Sequence, residues 1–140
     1  NKTKGIIFVV LNLKNSAGKV VSHNVYWLSS DGDYKAINNL PGATLSVTVL
    51  KSEKLKAETR WTIQVNNPGD RIAFFIRSQI MTGKEEVLPS FWSGNYVTLA
   101  AGESTTLSVS CPDAEIGSGK PDLKVSGWNV PEQKLTLNIK

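Results

Sequence analysis

Apolar and polar residues alternate along most of this chain, and a period of two is that of a β-strand, not of a helix. The alternation runs through residues 44–49, 60–65, 106–111 and 134–139. Turn signals rich in glycine, proline or asparagine separate these segments about every ten residues. The pattern predicts eight or nine short strands, no helix, and an all-β fold, an immunoglobulin-like antiparallel β-sandwich.

The clearest turn signal is Asn66–Asp70, which contains Pro68 and Gly69. The strand after it is apolar at nearly every position from 72 to 76, as expected for a central strand. Strict alternation there predicts that the even-numbered residues share one face, whereas Ala73 and Phe75 share the other. The charged stretch 51–58 has no apolar stripe, so it predicts a loop or an edge hairpin rather than a helix.

Length and charge narrow the classes of protein further. The chain has 140 residues, which predicts a single domain over 1–140, with Trp27 or Trp61 as the central core tryptophan. No run of about 18 apolar residues is present, so no transmembrane helix is predicted. The net charge is only +4 and the cations are dispersed, which argues against a nucleic-acid partner.

The inventory of reactive residues argues against an enzyme acting alone. His23 is the only histidine and Cys111 the only cysteine, so we predict no metal site and no cofactor. Glu85 and Glu86 are neighbours on a predicted strand and point to opposite faces, so they cannot flank one bond. Residues 31–33 lack the later glutamate of a calcium loop and are interpreted as a plain turn.

Five segments carry a resemblance to a known family. They are residues 24–28, 67–77, 86–99, 102–104 and 125–130. In this order they resemble the C-terminal immunoglobulin-like domain of glycoside hydrolase family 2 enzymes. The most similar branch is that of exo-β-glucosaminidases, β-mannosidases and mannosylglycoprotein endo-β-mannosidases.

The resemblance implies a non-catalytic accessory domain. In the family, both catalytic carboxylates belong to a separate TIM barrel, and the parent enzyme is a retaining glycosidase. The implied partners are that barrel, the other domains of the parent chain, and a glycan at the rim of the active-site pocket. A bacterial periplasmic or secreted setting is expected. Gly94 departs from the family, which usually has an acidic residue at this position.

The aromatic loop 91–96 is the candidate contact region, with Trp92, Asn95 and Tyr96 as binding or interdomain residues. The alternative is that its aromatic side chains close one end of the sandwich, and Trp128 is likewise expected in the core or at a sheet end. Two other classes stay open, an independent carbohydrate-binding module and a cell-surface adhesion sandwich. Most aromatic residues fall at predicted inward positions, which disfavours the carbohydrate-binding module.

Overall fold

The computed structural model describes residues 5–138, which divide into two compact units between Pro41 and Gly42. The first unit is an antiparallel hairpin of β1 (Ile6–Lys14) and β2 (Val20–Ser29), followed by a 3-10 helix at Lys35–Asn39. Both strands lie where the alternation predicts them. Across residues 5–138, no helix has the length and hydropathy that crossing a bilayer requires.

The second unit consists of two antiparallel sheets. One has the order β11-β10-β5-β6, with β8 also paired to β5, and the other has the order β3-β4-β9-β7. A one-turn α-helix, Asp113–Ile116, interrupts the predicted 112–121 loop, where no helix is predicted. The strands are β3 (Ser46–Lys54), β4 (Glu58–Asn66), β5 (Ala73–Thr82), β6 (Glu85–Glu86), β7 (Phe91–Trp92), β8 (Val97–Leu99), β9 (Ser104–Pro112), β10 (Pro121–Gly127) and β11 (Val130–Thr136).

The hydrophobic core of this unit is built from inward residues of both sheets, which confirms the predicted sandwich. Trp61 is fully buried and is the central tryptophan, whereas Trp27 is exposed. The indole Nε1 of Trp61 donates to the carbonyl oxygen of Asn138 at 3.2 Å. Other fully buried aliphatic residues, contributed by β4, β5, β9 and β10, are Ile63, Val65, Ile76, Ile80, Val109, Leu123 and Val125.

The prediction for the faces of β5 is wrong because the strand carries a β-bulge. Ala73 pairs with Leu99 and Ile76 with Val97, so two residues of β5 stand opposite one residue of β8. Ala73 and Ile76 therefore both reach the core, although strict alternation places them on opposite faces. Phe75 has a φ of 55° and is exposed.

The charged stretch 51–58 forms an edge hairpin, one of its two predicted forms. β3 continues to Lys54, and β4 begins at Glu58 after a short turn. The amide of Leu55 donates to the carbonyl of Glu58 at 2.9 Å and closes this turn. At the other end of the sequence, the predicted closing strand 134–139 overlaps β11 only at residues 134–136, because β11 begins at Val130 and ends at Thr136; Ile139 lies outside the described residues.

Candidate functional site

Trp92, the first of the three predicted contact residues, lies in a short strand of the sandwich. It pairs with Val109 of β9, and its ring packs against the hydrophobic core. The indole Nε1 donates to Ser90 Oγ at 3.1 Å. Trp92 is half-buried, so part of its ring supports the fold and only the remainder is available to a partner.

Asn95 uses its carboxamide inside the chain. Its Oδ1 accepts hydrogen bonds from the backbone amides of Ser78 at 2.8 Å and Tyr96 at 2.9 Å. Its Nδ2 donates to the carbonyl of Ser78 at 2.9 Å. The side chain therefore pairs with β5 as a neighbouring strand would, and we assign it a positioning role.

Tyr96 and Phe75 form an exposed aromatic pair on strained backbone. Their ring centroids lie 5.1 Å apart with an interplanar angle of 43°. Tyr96 has a φ of 53° and Phe75 a φ of 55°. Residues other than glycine and asparagine rarely adopt this backbone region. Even so, 49% of Tyr96 and 38% of Phe75 remain exposed. Residues on sparsely populated backbone cluster at functional sites, which makes this pair a candidate contact.

Trp128 lies in the turn between β10 and β11, at a sheet end as expected, but it is 57% exposed and therefore does not close the core. Its backbone amide donates to the carbonyl of Phe74 at 2.9 Å. The next residue, Asn129, accepts from the amide of Phe74 at 2.8 Å and donates to the carbonyl of Ile72 at 2.7 Å. The turn that carries Trp128 is thus fixed to the residue before Phe75. We call Phe75, Tyr96 and Trp128 the aromatic surface.

The exposed aromatic residues overturn one step of the sequence interpretation. Alternation places most of the rings inward, but the structure exposes seven large aromatic side chains in residues 5–138. The signal that was missed is non-local. The bulge in β5 turns Phe75 outward, and the turn between β10 and β11 does the same for Trp128. Neither position breaks the period of two in the printed sequence.

Within residues 5–138, the acidic groups Glu86 and Asp113 are engaged by neighbouring side chains and the thiol is buried. No group of three or more histidine, cysteine or acidic residues within 5–138 is arranged to hold a metal ion. The carboxylate of Glu86 accepts from Arg77 Nη2 and Gln79 Nε2, both at 2.7 Å. Hydrogen bonds from Lys54 and Thr59 hold the pKa of Asp113 below its usual value. Cys111 is buried, which raises the pKa of its thiol to about 11.

Residues 24–130 match the family model of the exo-β-D-glucosaminidase Ig-fold domain. The chain belongs to this family. The match confirms the resemblance to the immunoglobulin-like domain of a family 2 glycoside hydrolase. This Ig-fold domain is 32% identical to an exo-β-D-glucosaminidase of Amycolatopsis orientalis over 145 residues, and 33% identical to one of Streptomyces avermitilis over 147 residues.

The Ig-fold domain also has a solved structural counterpart. The crystal structure of the Amycolatopsis orientalis exo-chitosanase CsxA superimposes with a TM-score of 0.84 at 30% identity, covering 97% of this chain and 19% of that one. The alignments with the two sequence relatives cover 88% and 89% of this chain, but only 14% and 16% of the relatives' own length. The chain thus corresponds to one small part of much longer enzymes.

Proposed function

We propose that residues 1–140 are a non-catalytic accessory domain of a retaining family 2 glycoside hydrolase of the exo-β-D-glucosaminidase type. The hydrolysis of O-glycosidic bonds takes place in a TIM barrel elsewhere in that enzyme, between two carboxylates. The matched relatives support the glucosaminidase type over the β-mannosidase type, since each is named an exo-β-D-glucosaminidase. The engaged state of Glu86 and Asp113 supports a role without chemistry.

The observation that carries the proposal is the aromatic surface. Two of its rings are kept on unfavourable backbone, where a glycine would be free of strain. The nearby polar groups are already used within the chain: Asn95 by Ser78, and the hydroxyl of Thr98 by the amide of Phe75 at 3.3 Å. Exposed rings without competing polar groups suit contact with another protein surface. We assign this surface to packing against the catalytic barrel.

The first test compares the complete enzyme with the isolated chain. Phe75→Gly removes a ring without adding strain, because glycine adopts a φ of 55° freely. We expect it to lower the melting temperature of the complete enzyme by several degrees more than that of the isolated chain. Phe91→Ala is the control, because Phe91 is an exposed phenylalanine on β7 of the other sheet. Equal shifts in both proteins would contradict the assigned interface.

The second test addresses chemistry. The isolated chain, purified to homogeneity, is expected to hydrolyse no aryl β-D-glucosaminide and no aryl β-D-mannoside. The complete enzyme is expected to turn over the glucosaminide. Turnover by the isolated chain that persists through purification would refute the accessory role. Turnover of the mannoside alone by the complete enzyme would refute the glucosaminidase type and leave the accessory role intact.

A carbohydrate-binding module is the second candidate function, because Tyr96 and Trp128 are the ring types that stack on sugars. The tilt of 43° between Tyr96 and Phe75 does not offer one flat platform. The net charge of +4 also opposes binding of cationic amino-sugar oligomers. Calorimetry with glucosamine and mannose oligomers separates the two functions: micromolar binding that is lost in Tyr96→Ala supports the module.

A further inference from the structure

One face of the β1–β2 hairpin is apolar and open. In the antiparallel register, Ile7 lies opposite Leu28 and Val9 opposite Tyr26, and partners in such pairs share a face. Leu11 and Leu13 continue this face toward the hairpin loop, because side chains two residues apart point the same way. We call these six residues the hairpin face. All of them except Val9 are exposed, at 46–64%.

The opposite face of the hairpin differs in character. Its polar end is closed by a 2.7 Å contact between His23 Nδ1 and Asn12 Oδ1. Phe8, Val10 and Val25 on that side are half-buried, and Trp27, opposite Phe8, is 38% exposed, less than any exposed residue of the hairpin face. The hairpin face is therefore the more exposed of the two, although it carries the larger number of long aliphatic side chains.

An open face of this kind needs a partner for physical reasons. Scattered apolar residues are ordinary on protein surfaces, but a contiguous apolar stripe marks an interaction site. A two-stranded hairpin is also marginally stable in water unless a face of it is packed. In residues 5–138, β1 and β2 form a separate two-stranded sheet, and the stripe on its face stays exposed.

The family match indicates the kind of partner. The match begins at Asn24, so the whole of β1 and the first four residues of β2 precede the matched segment. The Amycolatopsis and Streptomyces relatives have more than four-fifths of their length outside the matched segment. Those enzymes therefore contain abundant protein surface outside the matched segment and on the same polypeptide.

We infer that the hairpin face packs on an apolar surface of a neighbouring domain of the parent enzyme, other than the contact made by the aromatic surface. The inference rests on the proposed function. The bound surface is apolar where it meets Ile7, Leu28 and Tyr26, and it becomes polar toward Ser22 and Asn24, which lie opposite Leu13 and Leu11. The hairpin thus acts as an arm that joins the Ig-fold domain to the rest of the enzyme.

Hydrogen exchange across β1 tests this inference. We expect peptides within residues 6–14 to exchange at least tenfold more slowly in the complete enzyme than in the isolated chain. Leu11→Ser is expected to remove that difference. Leu50→Ser is the matched control, because Leu11 and Leu50 are leucines in strands with exposures of 53% and 52%. Equal exchange of β1 in both proteins, or equal effects of the two variants, would overturn the inference.

A second copy of the chain is the alternative occupant. Sedimentation of the isolated chain at increasing concentration is expected to give a monomer throughout. A dimer that dissociates in Leu11→Ser would assign the hairpin face to self-association and overturn the inference. The proposed function has its own readout, because the Phe75→Gly experiment reports the aromatic surface and leaves the hairpin unchanged. One pair of results would refute the hairpin contact alone. In it, β1 exchanges equally in both proteins, while Phe75→Gly still lowers the melting temperature of the complete enzyme more than that of the isolated chain.

Discussion

Phe75 and Tyr96 hold large rings on a backbone conformation that costs about 1–2 kcal/mol per residue for side chains with a Cβ. The contact between the two rings, with centroids 5.1 Å apart, returns about 0.5–1.5 kcal/mol. The contact does not outweigh the strain at both positions. The excess cost fits a surface retained for what it binds rather than for what it adds to folding.

Replacing Tyr96 measures this strain directly. In the isolated chain, Tyr96→Gly is expected to be more stable than Tyr96→Ala by about 1 kcal/mol in urea unfolding, because only glycine relaxes at positive φ. Val97 is the control position, since it lies in regular strand β8. There the order is expected to reverse, with alanine the more stable. If Tyr96→Ala is as stable as Tyr96→Gly, or more stable, the backbone strain at Tyr96 is ruled out.

Gly94 tests whether the family's acidic residue fits this chain. A Cβ at Gly94 would meet Leu107 Cδ2 at 3.6 Å, an ordinary contact. Gly94→Asp is therefore expected to change the free energy of unfolding by no more than about 0.5 kcal/mol. At Gly127, a Cβ would lie 3.0 Å from the carbonyl oxygen of Phe74 and 3.1 Å from Val130 Cβ. Gly127→Ala is expected to lower the free energy of unfolding by about 1–3 kcal/mol. A larger loss in Gly94→Asp than in Gly127→Ala would refute the packing described.

Strand β5 is the element that positions the aromatic surface. Near the bulge, several of its backbone groups are hydrogen-bonded to side chains as well as to neighbouring backbone. The carboxamide of Asn129 bonds the carbonyl of Ile72 and the amide of Phe74. The carboxamide of Asn95 bonds both the amide and the carbonyl of Ser78. The two carboxamides lie on either side of the bulge and keep buried backbone groups paired where the ladder is irregular. They let β5 carry an outward ring and remain within the sheet.

Removing one carboxamide tests this arrangement. Asn95→Ala leaves the backbone amide and carbonyl of Ser78 without the partners they have now, so we expect a loss of about 1–3 kcal/mol in unfolding free energy. Gln64→Ala is the control, because Gln64 is an exposed carboxamide in β4. Its effect should stay near 0.5 kcal/mol or below. Comparable losses in the two variants would show that Asn95 is not a structural partner of β5.

The elements differ in how far the sequence predicts them. The strands and the Asn66–Asp70 turn follow from local alternation and turn chemistry, which a sequence carries explicitly. Tyr96 could be selected as an exposed contact residue because it lies in an aromatic loop. Phe75 could not, because its orientation depends on a bulge set by pairing with β8. The carboxamide bonds of Asn95 and Asn129 are also non-local, and no spacing rule predicts them.

The whole molecule buries its single thiol in the core of the sandwich. Cys111 lies on β9 with no exposed surface, and both burial and the charge of Glu58 raise its pKa, to about 11. Thiols react as thiolates, so this residue is inert in the folded state at neutral pH. The rate of its modification therefore reports opening of the second unit as a whole.

Alkylation of Cys111 provides the corresponding measurement. At pH 8 with iodoacetamide, we expect labelling of the folded chain to be at least about 100-fold slower than that of free cysteine. In urea above the unfolding midpoint, the two rates should become equal. Asn95→Ala should accelerate labelling under native conditions by lowering the free energy of opening. Fast labelling of the unaltered chain without denaturant would contradict the burial of Cys111.

The bulge in β5 has a consequence for how such a surface could arise during evolution. Phe74 and Phe75 together stand opposite Thr98, so a strand without Phe75 would pair one for one with β8. A single-codon insertion or deletion could therefore add or remove this ring while the rest of the strand keeps its neighbours. Related enzymes could change their interdomain contacts in this way without redesigning the fold.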